Sequence, residues 1–399
     1  MKPAVVPLDN PIQNYAWGSR TAIAGFLGRP NEGGLPEAEL WIGAHPKAPS
    51  RVVGGPGGTL DRLIQADPGA MLGSAVAERY GELPFLLKVL AAAEPLSIQC
   101  HPNTEQARVG FARENAAGIP LSDPRRNYRD PNHKPELVVA LTPFHALKGF
   151  RRAEEILAGF GRFPCAVLEA SLLALERGRD AAAVRGLFAS LMSLPDEARV
   201  ALVEAGVAAA RGRGDAASSW VGRLQEKYAG DVGVLSPLFL NLVELRPEEA
   251  LFLGAGELHA HLEGTAVEVM ANSDNVLRGG LTPKHVDVED LLAIATFEPG
   301  KAEVLRPEAV SPGERIYRTP APEFELGLID VSPTAAHASP PGRGVELLLG
   351  LEGEARLLAD DREHPLGRGR SCFVPASVAA YRIEGAGRVC RARVRGVAR

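Results

Sequence analysis

The sequence predicts a mainly β chain in which a helical segment interrupts one β unit and a second β unit follows. Three observations carry that reading. Over residues 1 to 150, Gly and Pro recur every few positions and bound short apolar runs such as Leu83-Pro-Phe-Leu-Leu-Lys-Val-Leu90, which reads as strands and loops. From about Ala153 to Tyr228 the composition turns to Ala, Leu, Glu and Arg, with apolar residues three and four apart, as at Leu168, Leu172 and Leu175, and helices are predicted. Strand-like sequence returns at Leu251 and runs to about Ala295; beyond Glu298-Pro-Gly300 come a Pro-rich stretch and further short strands, Val345-Glu-Leu-Leu-Leu and Cys372-Phe-Val. The expected units are 1–150 and 236–299 as one divided β domain, 151–235 as an inserted helical domain, and 300–399 as a second β domain.

Composition narrows the class. At roughly 150 residues per domain, 399 residues make two or three domains. Apolar residues at 45% and charged residues at 23% are the balance of a globular protein and exclude disorder. Forty-four Lys+Arg against 49 Asp+Glu, with no long run of one sign, argue against a nucleic-acid partner. The first residues hold no apolar signal core, and no uncharged apolar run reaches the ~18 residues of a membrane helix, so no membrane association and a cytoplasmic location are expected. The four cysteines are far apart and form no CxxC pair, which disfavours a disulfide framework or a thiolate zinc site.

Chemistry collects in three segments. In Leu96-Ser-Ile-Gln-Cys-His-Pro102, strand alternation puts Ser97, Gln99 and His101 on one face and Leu96, Ile98 and Cys100 on the other. Asn132-His-Lys-Pro-Glu-Leu-Val-Val-Ala140 brings His133, Lys134 and Glu136 to the start of an apolar strand, where Pro135 is tolerated. Gly256-Glu-Leu-His-Ala-His-Leu-Glu-Gly264 sets His259, His261 and Glu263 on one face, and two imidazoles two apart on a strand can chelate a metal. Imidazole and carboxylate suit zinc, and also Fe, Mn or Ni. Alone, the first segment reads equally well as the exposed face of an edge strand, and Lys134 beside Glu136 as a rim salt bridge. Glu268 inside the apolar strand Thr265-Ala-Val-Glu-Val-Met-Ala271 needs a cationic partner, for which Arg278 is expected. Lys88 lies equally inside an apolar run, where a snorkelling lysine is the bland reading.

With these residues in view, the chain resembles the type I phosphomannose isomerase family. The resemblance rests on Tyr15-Ala-Trp-Gly18, Ala38-Glu-Leu-Trp-Ile-Gly-Ala-His-Pro46, Leu83-Pro-Phe-Leu-Leu-Lys88, Ser97-Ile-Gln-Cys-His-Pro102, Asn132-His-Lys-Pro-Glu136, His259 with its neighbours, and Ser273-Asp-Asn-Val-Leu-Arg-Gly-Gly-Leu-Thr-Pro-Lys284. These run in the family's order across residues 15 to 284; the last hundred residues match in general character only. The resemblance implies a catalytic cupin-type jelly-roll barrel with an inserted helical domain, a second cupin-like barrel, and one zinc ion per chain held by Gln99, His101, Glu136 and His259. It further implies a monomer acting on a small sugar phosphate in carbohydrate metabolism, toward GDP-mannose. Arg278 is then the active-site arginine, and Lys88, Ser97, Lys134, Lys284 and Trp17 match substrate-associated positions. One departure stands out: where the family commonly reads His-Ala-Tyr, this chain reads His259-Ala-His261, and His261 is read as a substrate contact.

The implied reaction moves a proton between C2 and C1 of mannose 6-phosphate and fructose 6-phosphate through a cis-enediol. Lys88, Ser97 and Lys284 are assigned to the phosphate, and Arg278 and Lys134 to charge developing on the enediolate. For the base, Glu268 with a raised pKa and Lys134 rank ahead of His133; alternatively Glu268 only orients Arg278. Two rivals from other classes are an iron-dependent oxygenase built on two histidines and a carboxylate, and a sugar-phosphate sensor without turnover.

Overall fold

The computed structural model describes residues 4–54 and 57–395, and it is built on two ten-stranded antiparallel sheets. The strand His259–Ala271 organises the first. Its early part pairs with Phe144–Phe150 and Gln99–Cys100, and its later part lies between Phe85–Ala92 and Glu136–Ala140. The switch falls at Gly264, which has φ +123°, and where a Cβ would stand 2.6 Å from the Pro143 carbonyl oxygen. The neighbouring strand Phe85–Ala92 is buried throughout. Covered on both faces, it reads as a continuous apolar run, broken only by Lys88.

The helical segment forms as expected, in Ala153–Phe160, Glu169–Gly178, Ala181–Met192, Asp196–Ala210 and Ala216–Lys227. Asp180 and Asp215 cap two of these helices by accepting from the Ala183 and Ser218 backbone N–H groups. Phe150, at the end of its strand, meets Phe188 of the helices at 5.5 Å and Phe297 at 5.4 Å, so insert and sheet share one core.

The second sheet carries the strands from Glu308 to Arg393, and it also takes Val6–Asp9, paired with Ser371–Val374, and Arg51–Val52, paired with Val6–Asp9. Between those two strands, Ile12–Gln13 and Glu39–Ile42 belong to the first sheet. Leu87, Val89, Val267 and Val269 of the first sheet pack in one cluster with Leu326, Leu347, Leu349 and Phe373 of the second.

The all-β reading of residues 1 to 150 is corrected: Ala22–Phe26, Leu60–Ala66, Pro68–Leu72, Ser74–Tyr80 and Thr104–Ala116 are helices. Four of these are too short to set up a legible 3.6-residue period. The longest, Thr104–Ala116, buries only Ala107, Gly110 and Glu114, so its start signal is not apolar spacing but the Asn103–Gln106 capping box. Val288–Ile294 is likewise helical, capped by Asp287.

Candidate active site

Register assembles the site. Gln99 lies opposite His259, and Arg278 opposite Gln99. Glu136 opens its strand directly after Pro135. His101, Glu136 and His259 come together with their ligand atoms all within 4.8 Å. The two imidazole Nε2 atoms stand 3.4 and 3.5 Å from the two Glu136 oxygens. On the far side, His101 Nδ1 lies 2.7 Å from the Asn275 carbonyl and His259 Nδ1 2.9 Å from the Glu257 carbonyl. A carbonyl only accepts, so each Nδ1 carries a proton, and in the neutral ring Nε2 turns a lone pair toward Glu136.

The centre is therefore a set of buried acceptors facing one another, and His101 Nε2 has no hydrogen-bond partner. Burial, followed by the nearby Lys134, holds the His101 imidazole down to about 4, so it is neutral at pH 7. Burial works to raise the Glu136 carboxyl, but Lys134, 3.0 Å away, and His101 hold it well below the usual carboxylate range. Two imidazoles oriented from behind by backbone carbonyls, beside an ionised carboxylate, are the donor set of zinc or a similar divalent cation. Glu136, His261 and Glu268 form a second close group, but there Glu268 is already committed to a lysine.

That lysine is Lys88, and this corrects the expected pairing with Arg278. Glu268 stands directly opposite Lys88 in the sheet, with Glu268 Oε2 2.9 Å from the ammonium, and Glu39 adds a second carboxylate at 3.7 Å. A raised Glu268 pKa is also overturned. Burial alone would raise it, but Lys88 overrides burial and holds the carboxyl well below its ordinary value. Lys88 does not snorkel; its charge is buried and paired.

Beside the centre opens a cavity of about 430 Å³ whose lining includes Trp17, Lys88, Ser97, Gln99, Lys134, Arg278 and Lys284. His261 and Glu268 do not line it: both are almost fully buried, with His261 Nε2 3.4 Å from Glu268 Oε1. His133 points elsewhere too, with its Nε2 2.8 Å from Glu323 of the later unit. Glu263, expected on the same face as the histidines, is turned outward by a register shift after His261 and pairs with Arg223 at 2.8 Å.

Sequence reasoning missed Arg129, Trp41, Glu39 and His45, all of which line the cavity. Glu39 and His45 lie inside or beside the buried strand Glu39–Ile42, where hydrophobic patterning hides them; Trp41 Nε1 donates to Glu39 Oε2 at 2.6 Å. Arg129, three residues before Asn132, was the more legible signal. Burial, then Arg129, pulls the Arg278 guanidinium below its ordinary value, and burial, then Arg278 and Arg129, lowers Lys284. The charges acting on these groups are other cations, which is the mark of an anion site.

Residues 5–153 match the profile of the phosphomannose isomerase type I catalytic domain, and residues 323–394 that of the mannose-6-phosphate isomerase cupin domain. The Escherichia coli mannose-6-phosphate isomerase is 43% identical over 96% of this chain and 98% of its own, and mannose-6-phosphate isomerase 2 of Arabidopsis thaliana is 34% identical over 92% and 88%. The crystal structure of the Salmonella typhimurium mannose 6-phosphate isomerase, bound to fructose 6-phosphate and zinc, superposes with a TM-score of 0.91 at 42% identity, covering 98% of this chain and 99% of that one. The chain belongs to the type I phosphomannose isomerase family.

Proposed function

We propose that this chain is a zinc-dependent aldose–ketose isomerase that interconverts mannose 6-phosphate and fructose 6-phosphate through a cis-enediol. The observation that carries the reading is one cavity bordered both by an acceptor-only His–Glu–His centre and by uncompensated cations. A phosphosugar that ionises at C1–C2 needs both.

His101, Glu136 and His259 hold the ion, with Gln99 as fourth donor. When bound, zinc supplies cationic stabilisation beside the sugar's vicinal oxygens. Arg129, Lys284 and Ser97 take the phosphate through charge-assisted hydrogen bonds. Arg278 and Lys134, as cations, face the oxygens on which enediolate charge collects. Glu268 is assigned to holding Lys88: a carboxylate kept ionised by a buried ammonium is a weak base. Trp17 forms an apolar wall, stacked on Tyr15 at 5.8 Å.

In this reading the two sheets are two cupin-like jelly-roll barrels. The catalytic barrel comprises 1–150 and 236–299 apart from the two strands lent to the later sheet, 151–235 is the helical insert, and 300–399 is the second barrel. The chain works as a cytoplasmic monomer; no helix among the described residues is long and apolar enough to cross a membrane.

A coupled assay of fructose 6-phosphate conversion, before and after chelation and after zinc is restored, tests the reading. Turnover should vanish with the metal and return with zinc; zinc-loaded protein without turnover would overturn it.

A further inference from the structure

His45 is the one imidazole among the residues lining the cavity, and it has no role in the assignments above. Three contacts fix its ring. The Lys47 backbone N–H donates to Nδ1 at 3.3 Å. The Trp41 ring lies edge-on, with centroids 4.9 Å apart and planes at 75°. The Asp274 carboxylate stands 3.9 Å from Nε2, outside hydrogen-bond reach, and is itself held by the Lys47 ammonium at 2.7 Å. A ring nitrogen that accepts from a backbone N–H carries no proton, so in the neutral ring the proton sits on Nε2. Burial, only partly offset by Asp274, holds the imidazolium down to about 4, so that at pH 7 the ring is neutral.

We propose that His45 is a catalytic residue of the isomerisation, a neutral Nε2–H donor that hydrogen-bonds the sugar oxygens at C1 and C2 and relays the hydroxyl proton between them. The inference rests on the isomerase reading above. Converting aldose to ketose gives O1 a proton and takes one from O2, separately from the hydrogen that moves from C2 to C1. Nε2–H passes its proton to O1 as the C1 carbonyl becomes a hydroxyl. The O2 proton returns to Nε2 as C2 becomes the carbonyl. The ring is neutral before and after, and no further reactant is consumed.

Neutrality suits this task. Lys88 and Lys134 already act on the ring as cations that lower its proton affinity, and an added imidazolium would repel both. Triosephosphate isomerase, another aldose–ketose isomerase, uses a histidine in this state, kept neutral by its surroundings, to polarise a substrate carbonyl. Here the Lys47 N–H sets the tautomer.

The test compares zinc-loaded wild type, His45→Gln and His45→Phe by steady-state kinetics on fructose 6-phosphate, with zinc measured per chain. His45→Phe should lower kcat by about 10²-fold or more, the scale of a lost proton-transfer group, with KM and zinc content little changed. His45→Gln keeps an amide N–H and should retain more kcat than His45→Phe. A purely packing role against Trp41 predicts the reverse order, and that order would overturn the proposal, as would an unchanged kcat in His45→Phe. Loss of zinc with activity would also overturn it, by making His45 a support of the metal centre. Should His45→Phe not fold, His45→Leu replaces it as the variant without a donor. An inactive wild type would remove the isomerase reading itself, whereas an active wild type with unaffected variants removes only this inference.

Discussion

Replacing Glu268 by Gln isolates what holds Lys88 in place. The ammonium is 2.9 Å from Glu268 and 3.7 Å from Glu39, and all three side chains are under a tenth exposed. Without Glu268, a buried cation keeps one distant carboxylate, and breaking such a pair costs about 3–5 kcal/mol. With an unfolding entropy of about 2.1 cal/mol/K per residue, a chain of 399 residues changes by roughly 0.8 kcal/mol per degree. Glu268→Gln should therefore lower Tm by about 4–6 °C in calorimetry. Lys88→Met combined with Glu268→Gln removes the stranded charge and should recover part of the loss relative to Glu268→Gln, because the cost lies in the unpaired ion rather than in the missing bond. A Glu268→Gln shift below about 1 °C, or a double variant no more stable than Glu268→Gln, would refute the reasoning.

Three further outcomes are expected. Lys284→Met or Arg129→Gln should raise KM for the phosphosugar by about 10- to 100-fold, since one charge-assisted hydrogen bond is worth about 1.5–3 kcal/mol, and leave kcat near wild type; steady-state kinetics decide this. Glu136→Gln exchanges the anionic donor for a neutral amide, so zinc retained after dialysis, read by atomic absorption, should fall with activity. The third concerns acid stability. His45 is held near 4 in the folded chain against an ordinary 6.5, so between those values the unfolded state binds more protons. Stability from this group is complete above about pH 6.5 and declines as pH falls toward 4, by on the order of 3 kcal/mol. Tm measured across that range should fall less steeply in His45→Gln than in wild type.

The helical segment was legible because its apolar spacing buries one face, and His101 was legible because strand alternation separates it from Ile98 and Cys100. The pairing of Glu268 was not. Arg278 is close in sequence, but Lys88, 180 residues away, sits opposite it only because Phe85–Ala92 is the neighbour of His259–Ala271. Alternation also failed at Glu263, because a bulge resets the period of two that the argument requires. Strand Val6–Asp9 escaped assignment to the later sheet as the Glu268 pairing did, because which strands pair is a long-range matter that local patterning does not encode. His45 became visible only once a cavity existed for it to line.

How charge is balanced around the cavity also bears on which way round the substrate binds. Near the metal centre, Lys88 is compensated by Glu268 and Glu39, and Lys134 by Glu136. A phosphate dianion brought there would meet cations already neutralised and an ionised Glu136. Lys284 and Arg129 instead repel each other and Arg278, so a phosphate dianion held by Lys284 and Arg129 relieves that repulsion and gains charge-assisted hydrogen bonds, with Arg278 left to the sugar oxygens. Folding thus leaves the electrostatic cost where the phosphate belongs, and phosphate binding recovers it, which places the C1–C2 end of the sugar toward the compensated side. On this charge balance, the cations left unpaired set the orientation of the substrate.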